Sequence, residues 1–255
     1  EARSKPSIAK AGKYTGSLDS IHDVSASEKD LEVTDEQISY LEGLSGLHTL
    51  NLWTTGVTGE GLRHLRKLLE LRHLAYGLVS MQPDARYLED ADLVCVEGLS
   101  NLETLWLDAR WIMGDGLVHL RRLPKLHTLR LINLRSLNPT GWELLSGLTT
   151  LRALDLAGVS LCDADLESVG KLGGLQALDL SDTDLDGMGF SSLQDLTQLR
   201  SLCLHRAGRR LRETELAHLC QLPCLEEVNY AENRIGEEGL KHLASIPSLR
   251  RLELY

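Results

Sequence analysis

Leucines recur along this chain in columns. Rows written from Leu47, Leu71, Leu102, Leu126, Leu151, Leu175, Leu199, Leu225 and Leu249 bring nearly every leucine into register, and five of the rows are 24 residues long. The regular rows are LHTLNLWTTGVTGEGLRHLRKLLE, LETLWLDARWIMGDGLVHLRRLPK, LRALDLAGVSLCDADLESVGKLGG, LQALDLSDTDLDGMGFSSLQDLTQ and LEEVNYAENRIGEEGLKHLASIPS. Each contains two hydrophobic periods. The LxxLxL half alternates with period two, as at Leu50 and Leu52, and predicts a short strand with one buried face. The second half, as at Leu62, Leu65 and Leu68, is spaced by three and predicts a helix. Between them stand Thr58, Asp115, Asp163 or Asp186 beside Gly61, Gly116 or Gly189, residue types that favour a turn and a helix start. A row therefore reads strand, turn, helix. Stacked rows place parallel strands about 4.8 Å apart on one side and helices on the other. Helices are wider than strands, so the stack is expected to curve with its strands concave and its helices convex. The fold class predicted is an α/β right-handed solenoid, in which no row buries its leucines alone and stability is spread over the interfaces between neighbours.

Departures from the period mark the irregular parts. The row from Leu71 to Asn101 holds GLVSMQPDARYLEDADL, seven residues more than a regular row, and predicts an insertion that loops out beside its strand. The row from Leu199 to Cys224 carries HRAGRRLRE, whose extra residues are basic. A degenerate first row from Ile21 to Gly46 has small residues in core columns and reads as a partial cap. Residues 1–20 have no periodicity and read as a flexible flank. Residues 21–255 then form one repeat domain of about nine repeats plus a truncated tenth. The absence of an initiator Met and the ending LRRLELY, a strand without a following helix, suggest a fragment of a longer chain.

The columns LxxLxLxx(N/T)x(L/I) carry a resemblance to leucine-rich repeat proteins. Rows containing TGEGL or IGEEGL look like the bacterial 24-residue TDxGLxxLxxL type and, less closely, the cysteine-containing repeats of F-box proteins. The resemblance covers residues 21–255. It implies an interaction scaffold whose concave strand surface and flanking loops bind other macromolecules. The usual Asn column is replaced here by Thr55, Arg110, Leu134, Val159, Thr183, Ala207 and Asn233, so a regular side-chain ladder to the turn backbones is not expected.

Composition narrows the function. The net charge of −10 disfavours sequence-independent binding to nucleic acid as a whole-surface property. No apolar run approaches the roughly 20 residues that span a bilayer, so no membrane association is expected. Five cysteines without framework spacing argue against a disulfide scaffold and for a reducing, cytoplasmic setting, with a secreted effector or surface protein as the other possibility. Asn138-Pro139-Thr140 is disqualified as a glycosylation acceptor by its proline.

Candidate chemistry is sparse. His64, His119, His218 and His242 share one column, which repeat position explains better than catalysis or metal binding. Cys220 and Cys224 have ligand-like spacing without two further ligands in the sequence. Cys203 stands at an outward strand position and reads as the most accessible thiol. The glycines of GEG and GDG lack the spacing of a phosphate-binding loop and shape turns. No enzyme, cofactor or metal site is predicted.

Outward strand positions make the sharpest functional expectation. Asn51, Trp53, His73, Trp106, Asp108 and Arg130 are expected on the amino-terminal part of the concave sheet, where two tryptophans on a solvated face suit anchors for a protein partner. Asp155 and Asp179 fall in one column and favour a cationic visitor. His205, Arg206 and Asn229 follow, with Arg209 and Arg210 on an adjoining basic loop that would steer a polar partner. The reading is a non-enzymatic protein-protein interaction module. The alternative is the targeting or substrate-recognition portion of a larger enzyme or effector.

Overall fold

The computed structural model describes residues 33–53, 55–77, 87–208 and 211–255. The chain divides into an amino-terminal unit within Val24–Leu151 and a carboxy-terminal unit, Arg152–Tyr255. The amino-terminal unit carries strands β1 (Thr49–Trp53), β2 (His73–Gly77), β3 (Thr104–Asp108) and β4 (Thr128–Ile132). They pair in chain order and in parallel, with Leu50, Leu74, Leu105 and Leu129 in one register line. The carboxy-terminal unit repeats the plan with β5 (Ala153–Asp155), β6 (Ala177–Asp179), β7 (Ser201–Cys203), β8 (Glu227–Asn229) and β9 (Arg251–Glu253). There Leu154, Leu178, Leu202, Val228 and Leu252 align. Period-two alternation does what it predicts: Leu105, Leu107, Leu129 and Leu131 in one unit, and Leu154, Leu178 and Leu202 in the other, are buried. Each unit is an α/β leucine-rich repeat solenoid.

The return half of several rungs is tighter than the expected helix. Short α-helices occur at α1 (Asp35–Ile38), α2 (Gly59–Leu62), α3 (Pro139–Ser146), α4 (Leu166–Gly170) and α5 (Glu237–Ala244), whereas Arg63–Lys67, Asp90–Val96, Asp115–Arg122, Met188–Asp195 and Glu213–Gln221 are 3₁₀-helices. The sequence spacing explains the preference. A 3₁₀-helix has three residues per turn, so leucines three apart eclipse one another and all face the core. Leu117, Leu120 and Leu123, and likewise Leu216, Leu219 and Leu222, are buried in this way. The 3₁₀-helix also rises about 2.0 Å per residue against about 1.5 Å for the α-helix, letting fewer residues cover the return path.

Turns after the strands are built on left-handed backbone. Asn133, Gly158, Asp182, Arg206 and Glu232 stand seven residues after the first leucine of their rows, and all have positive φ, between 51° and 74°. In the carboxy-terminal unit this geometry extends the backbone ladder beyond the strands. The Gly158, Asp182, Arg206 and Glu232 N–H groups donate to the Ser181, His205, Ala231 and Tyr255 carbonyls at 2.7, 2.9, 3.1 and 2.8 Å. This main-chain ladder satisfies groups that an asparagine column would otherwise serve. The side-chain ladder is intermittent, as its substitutions predict. Asn233 donates to the Leu204 carbonyl at 2.6 Å, and the Thr183 and Thr55 hydroxyls donate to Leu180 and Leu52 at 2.6 and 2.9 Å. Leu134, Val159 and Ala207 are buried apolar residues instead.

A second ladder joins rungs at the start of the return half, and it has two alternating kinds of step. Asp90-Ala91-Asp92-Leu93, Asp163-Ala164-Asp165-Leu166 and Glu213-Thr214-Glu215-Leu216 each precede a rung that carries glycines, Gly114-Asp115-Gly116, Gly187-Met188-Gly189 and Gly236 through Gly239. The Asp90 carboxylate accepts the Met113, Gly114 and Gly116 N–H groups at 2.8, 3.0 and 2.7 Å. Asp163 accepts from Asp186 and Gly189 at 3.2 and 2.8 Å, and Glu213 from Gly236 and Gly239 at 2.6 and 2.8 Å. A side chain at Gly116 would place its Cβ 2.3 Å from the Asp90 carbonyl oxygen, so the close approach requires glycine. Each carboxylate thus satisfies donors that a helix start leaves open in the next rung.

Candidate protein-binding surface

The outward positions of the amino-terminal strands form an aromatic and cationic line. Register places Asn51, Ala75, Trp106 and Arg130 side by side across β1 to β4. The Arg130 guanidinium lies over the Trp106 ring, 5.2 Å from its centroid, a cation–π arrangement. Trp53 is paired in register with Gly77, and a Cβ on Gly77 would come within 2.6 Å of the indole. Its ring therefore lies across the neighbouring strand in space that only a glycine leaves. Trp53 and Trp106 are both half-buried rather than fully displayed. Asn51 accepts the Trp53 N–H at 2.9 Å. His73 is half-buried between Thr49 and Thr104 in register, and burial lowers its pKa, with Glu103 opposing the shift.

Several polar residues expected on display are turned inward. Asp108 is buried, accepts the Arg110 N–H at 3.3 Å and lies 3.7 Å from the Arg110 guanidinium. Asp155, Asp179, Cys203 and Asn229 do share one column across β5 to β8, yet Asp179 is 0 % exposed and Asp155 and Cys203 are buried. The physical reason is local. A strand ending in Asp or Asn folds that side chain back onto the N–H two residues on, an Asx turn that leads the chain out of the sheet. Asp155 accepts from Ala157 at 2.9 Å, Asp179 from Ser181 at 2.8 Å, and Asn229 from Ala231 at 3.0 Å. Asp179 also accepts the Ser181 hydroxyl, which lies 3.0 Å from the Cys203 sulfur. The two carboxylates are turn-forming groups rather than a seat for a cation, and Cys203 is not an accessible thiol.

The basic loop is likewise recast. Arg206 is exposed, with Nε 3.2 Å from Asp182 and 3.8 Å from Glu232. It lines an open depression of about 450 Å³ with Asp182, Asp184, Gly208, Glu232 and Asn233, so three carboxylates surround one guanidinium. His205 is half-buried, and its carbonyl accepts the Asp182 N–H. Arg209 and Arg210, like the insertion at residues 78–86, the flank at residues 1–20 and the start of the degenerate first row, lie outside the described residues.

A cluster that strand-column reasoning does not find lies at the turn after β3. Tyr87 and Trp111 approach with ring centroids 5.9 Å apart and planes inclined by 37°. The Arg110 guanidinium lies over Tyr87 at 5.5 Å and that of Arg135 over Trp111 at 5.1 Å. Arg110, Tyr87, Trp111 and Arg135 thus form one continuous cation–aromatic–aromatic–cation series. Trp111 is 45 % exposed and Met113 is 56 % exposed in the same turn. A bridge between Glu89 and Trp111 ties the Tyr87 segment to this turn. The signal was present in the rows: Arg135 stands 24 residues after Trp111, in the same column, and one guanidinium therefore stacks on the preceding rung's indole.

The histidine column is a set of inter-rung pairs on the helix side. His64 Nδ1 lies 2.6 Å from Glu42, which Lys67 also engages, and His119 Nδ1 lies 2.5 Å from Glu97. Lys67 and then His64 hold the Glu42 carboxyl below its usual range, and the hydrogen bond with His119 does the same for Glu97. His218 pairs with Gln194 at 2.7 Å. Cys220 contacts Ser245 Oγ at 3.1 Å. No group of three or more potential metal ligands converges among the described residues, and no described helix is long and apolar enough to cross a membrane.

No protein-family model and no curated protein sequence matches the chain. Solved structures do. An internalin from Listeria monocytogenes is similar with a TM-score of 0.52 at 15 % identity, over 86 % of this chain and 70 % of that one. The plant peptide hormone receptor RGFR1, in complex with RGF2, is similar with a TM-score of 0.50 at 17 % identity, over 85 % of this chain and 33 % of the receptor's. At such identities the likeness concerns the fold, and with the strand registers above it makes this chain a leucine-rich repeat protein in architecture.

Proposed function

We propose that the chain is a protein-recognition module whose partner docks on the outward strand positions of the amino-terminal unit, around Trp53, Trp106 and Arg130. One observation carries this reading. A half-buried indole under a guanidinium on β3, and a second indole laid over a glycine of β2, stand on the strand face away from the leucine core. Such residues contribute nothing to the buried leucine columns, and aromatic and arginine side chains dominate the energetics of protein interfaces. His73 and Asn51 border the same positions and would supply polar contacts at the rim.

The reading extends to a recognition portion of a larger enzyme or effector, which would use the same surface. Nucleic acid is disfavoured by the net charge of −10. A partner isolated by cross-linking and confirmed by calorimetric titration should bind Trp53→Ala/Trp106→Ala about tenfold or more weakly than the parent chain. An unchanged affinity with an unchanged circular dichroism spectrum would remove this face from the proposal.

A further inference from the structure

We propose that Tyr87, Arg110, Trp111 and Arg135 form a docking site for an acidic peptide segment carrying an apolar anchor. The inference rests on the recognition role above and adds both a second surface and the chemistry of what it takes. The surface continues the strand face, because Arg110 and Trp111 follow β3 directly and Arg135 follows β4.

Three features define the ligand. First, the exposed Trp111 ring, with half-buried Tyr87 against it, lies in a turn that also exposes Met113, and a partner's apolar side chain would remove that area from water. Second, the guanidiniums are short of carboxylates. Arg135 is exposed and forms no ion pair among the described residues, its contact being the Trp111 ring. Arg110 has Asp108 at 3.7 Å, longer than a hydrogen bond, and Asp108 is buried and accepts a backbone N–H. A guanidinium over a ring uses its face, which leaves in-plane donors for a carboxylate, where paired N–H bonds give strong recognition. Third, the carboxylate that reaches this turn from the preceding rung is already engaged. Asp90 holds the Met113, Gly114 and Gly116 N–H groups. A cationic ligand would meet the Arg110 and Arg135 guanidiniums over the two rings. In a chain of net charge −10 these arginines are a local exception, so attraction acts at contact on a short acidic segment rather than on a polyanion at long range.

Selection of a random-peptide phage library on the immobilised chain provides the test, with the selected peptides as fluorescent probes in anisotropy titrations. The expected consensus places at least two Asp or Glu residues around an aromatic or leucine residue. Binding of those peptides should fall about tenfold or more in Arg135→Gln and in Trp111→Ala, with Arg135→Lys in between. Both positions are exposed, and an unchanged circular dichroism spectrum verifies folding. A consensus without carboxylates overturns the inference. So do selected peptides that bind Trp111→Ala/Arg135→Gln as tightly as the parent chain, and so does an oligothymidylate that displaces them through the same residues. In these cases peptide binding itself, and with it the recognition role, survives. Failure to select any binding peptide overturns the site and the recognition role together.

Discussion

The two units use one rung plan and share Asx turns, at Asn51 and Asp108 as at Asp155 and Asp179, but fill the outward column with different side chains. In the amino-terminal unit the strands are five residues long and their outward column holds Trp106 under Arg130, while Trp53, two residues further along β1, lies over Gly77. In the carboxy-terminal unit the strands are three residues long, and the matching column holds Asp155, Asp179, Cys203 and Asn229. There the polar side chains close Asx turns and the backbone ladder runs on through the left-handed residues. The contrast shows that an outward position is not a displayed one. Where the side chain can reach the N–H two residues on, the turn consumes it; where it is an indole or a guanidinium, as at Trp106 and Arg130, it lies over the neighbouring rung.

The comparison is most strongly broken or sharpened at the shared core. Leu129→Ala and Leu180→Ala remove fully buried side chains from the two units, and each should lower the unfolding free energy by about 2–5 kcal/mol in urea titrations. Similar losses would confirm that the units differ in their faces and not in their packing. A loss below about 1 kcal/mol at either site would contradict the register. The faces themselves give a smaller, opposed pair of effects. Asp179→Ala deletes a buried acceptor of the Ser181 N–H and hydroxyl, and should cost about 1–3 kcal/mol of stability while leaving partner affinity unchanged. Trp106→Ala should weaken binding while costing less stability than Leu129→Ala. If Asp179→Ala leaves the urea midpoint in place, the turn-forming role assigned to that column fails.

The smallest effect is electrostatic and belongs to the helix side of the amino-terminal unit. Glu42 and Glu97 have folded pKa values depressed below 4.5 by Lys67, His64 and His119. A depressed carboxylate stabilises the fold above its unfolded pKa, and that contribution is lost as pH falls from about 4.5 through the folded value. Stability should therefore decline in that acid window, and Glu97→Gln should flatten the decline. Both pairs are only partly buried, so the difference should shrink at high salt. An identical pH dependence in parent and variant would show that the inter-rung pair adds nothing.

Much of the fold was legible because burial repeats. Leucines in period two and at spacing three name the inward positions without knowledge of any contact, and Leu154, Leu178 and Leu202 are buried where the columns put them. The histidine column was also legible as a repeat feature, since His64, His119 and His218 each meet a residue of the preceding rung, Glu42, Glu97 and Gln194. The alternation of acidic and glycine turns is present in the sequence, but its period is two rows. A search for one common row averages Asp90 with Gly114 and hides the reason for either. The Trp111 cluster is not legible in the strand columns, because its rings and guanidiniums come from turns of successive rungs.

Which side chains face the core, and that parallel strands alternate with short helical returns, follows from the order of residues alone, because periodicity is a local property and the apolar face must be covered by the next rung. Whether a polar residue beyond the core is offered to a partner was decided by the assembled rungs. Asp179 and Arg135 are both charged residues outside the leucine columns, yet one is buried against its own turn and the other is stacked in the open on an indole 24 residues earlier. That outcome depends on the distance to donors and rings supplied by neighbouring turns, which exists only once the chain has stacked.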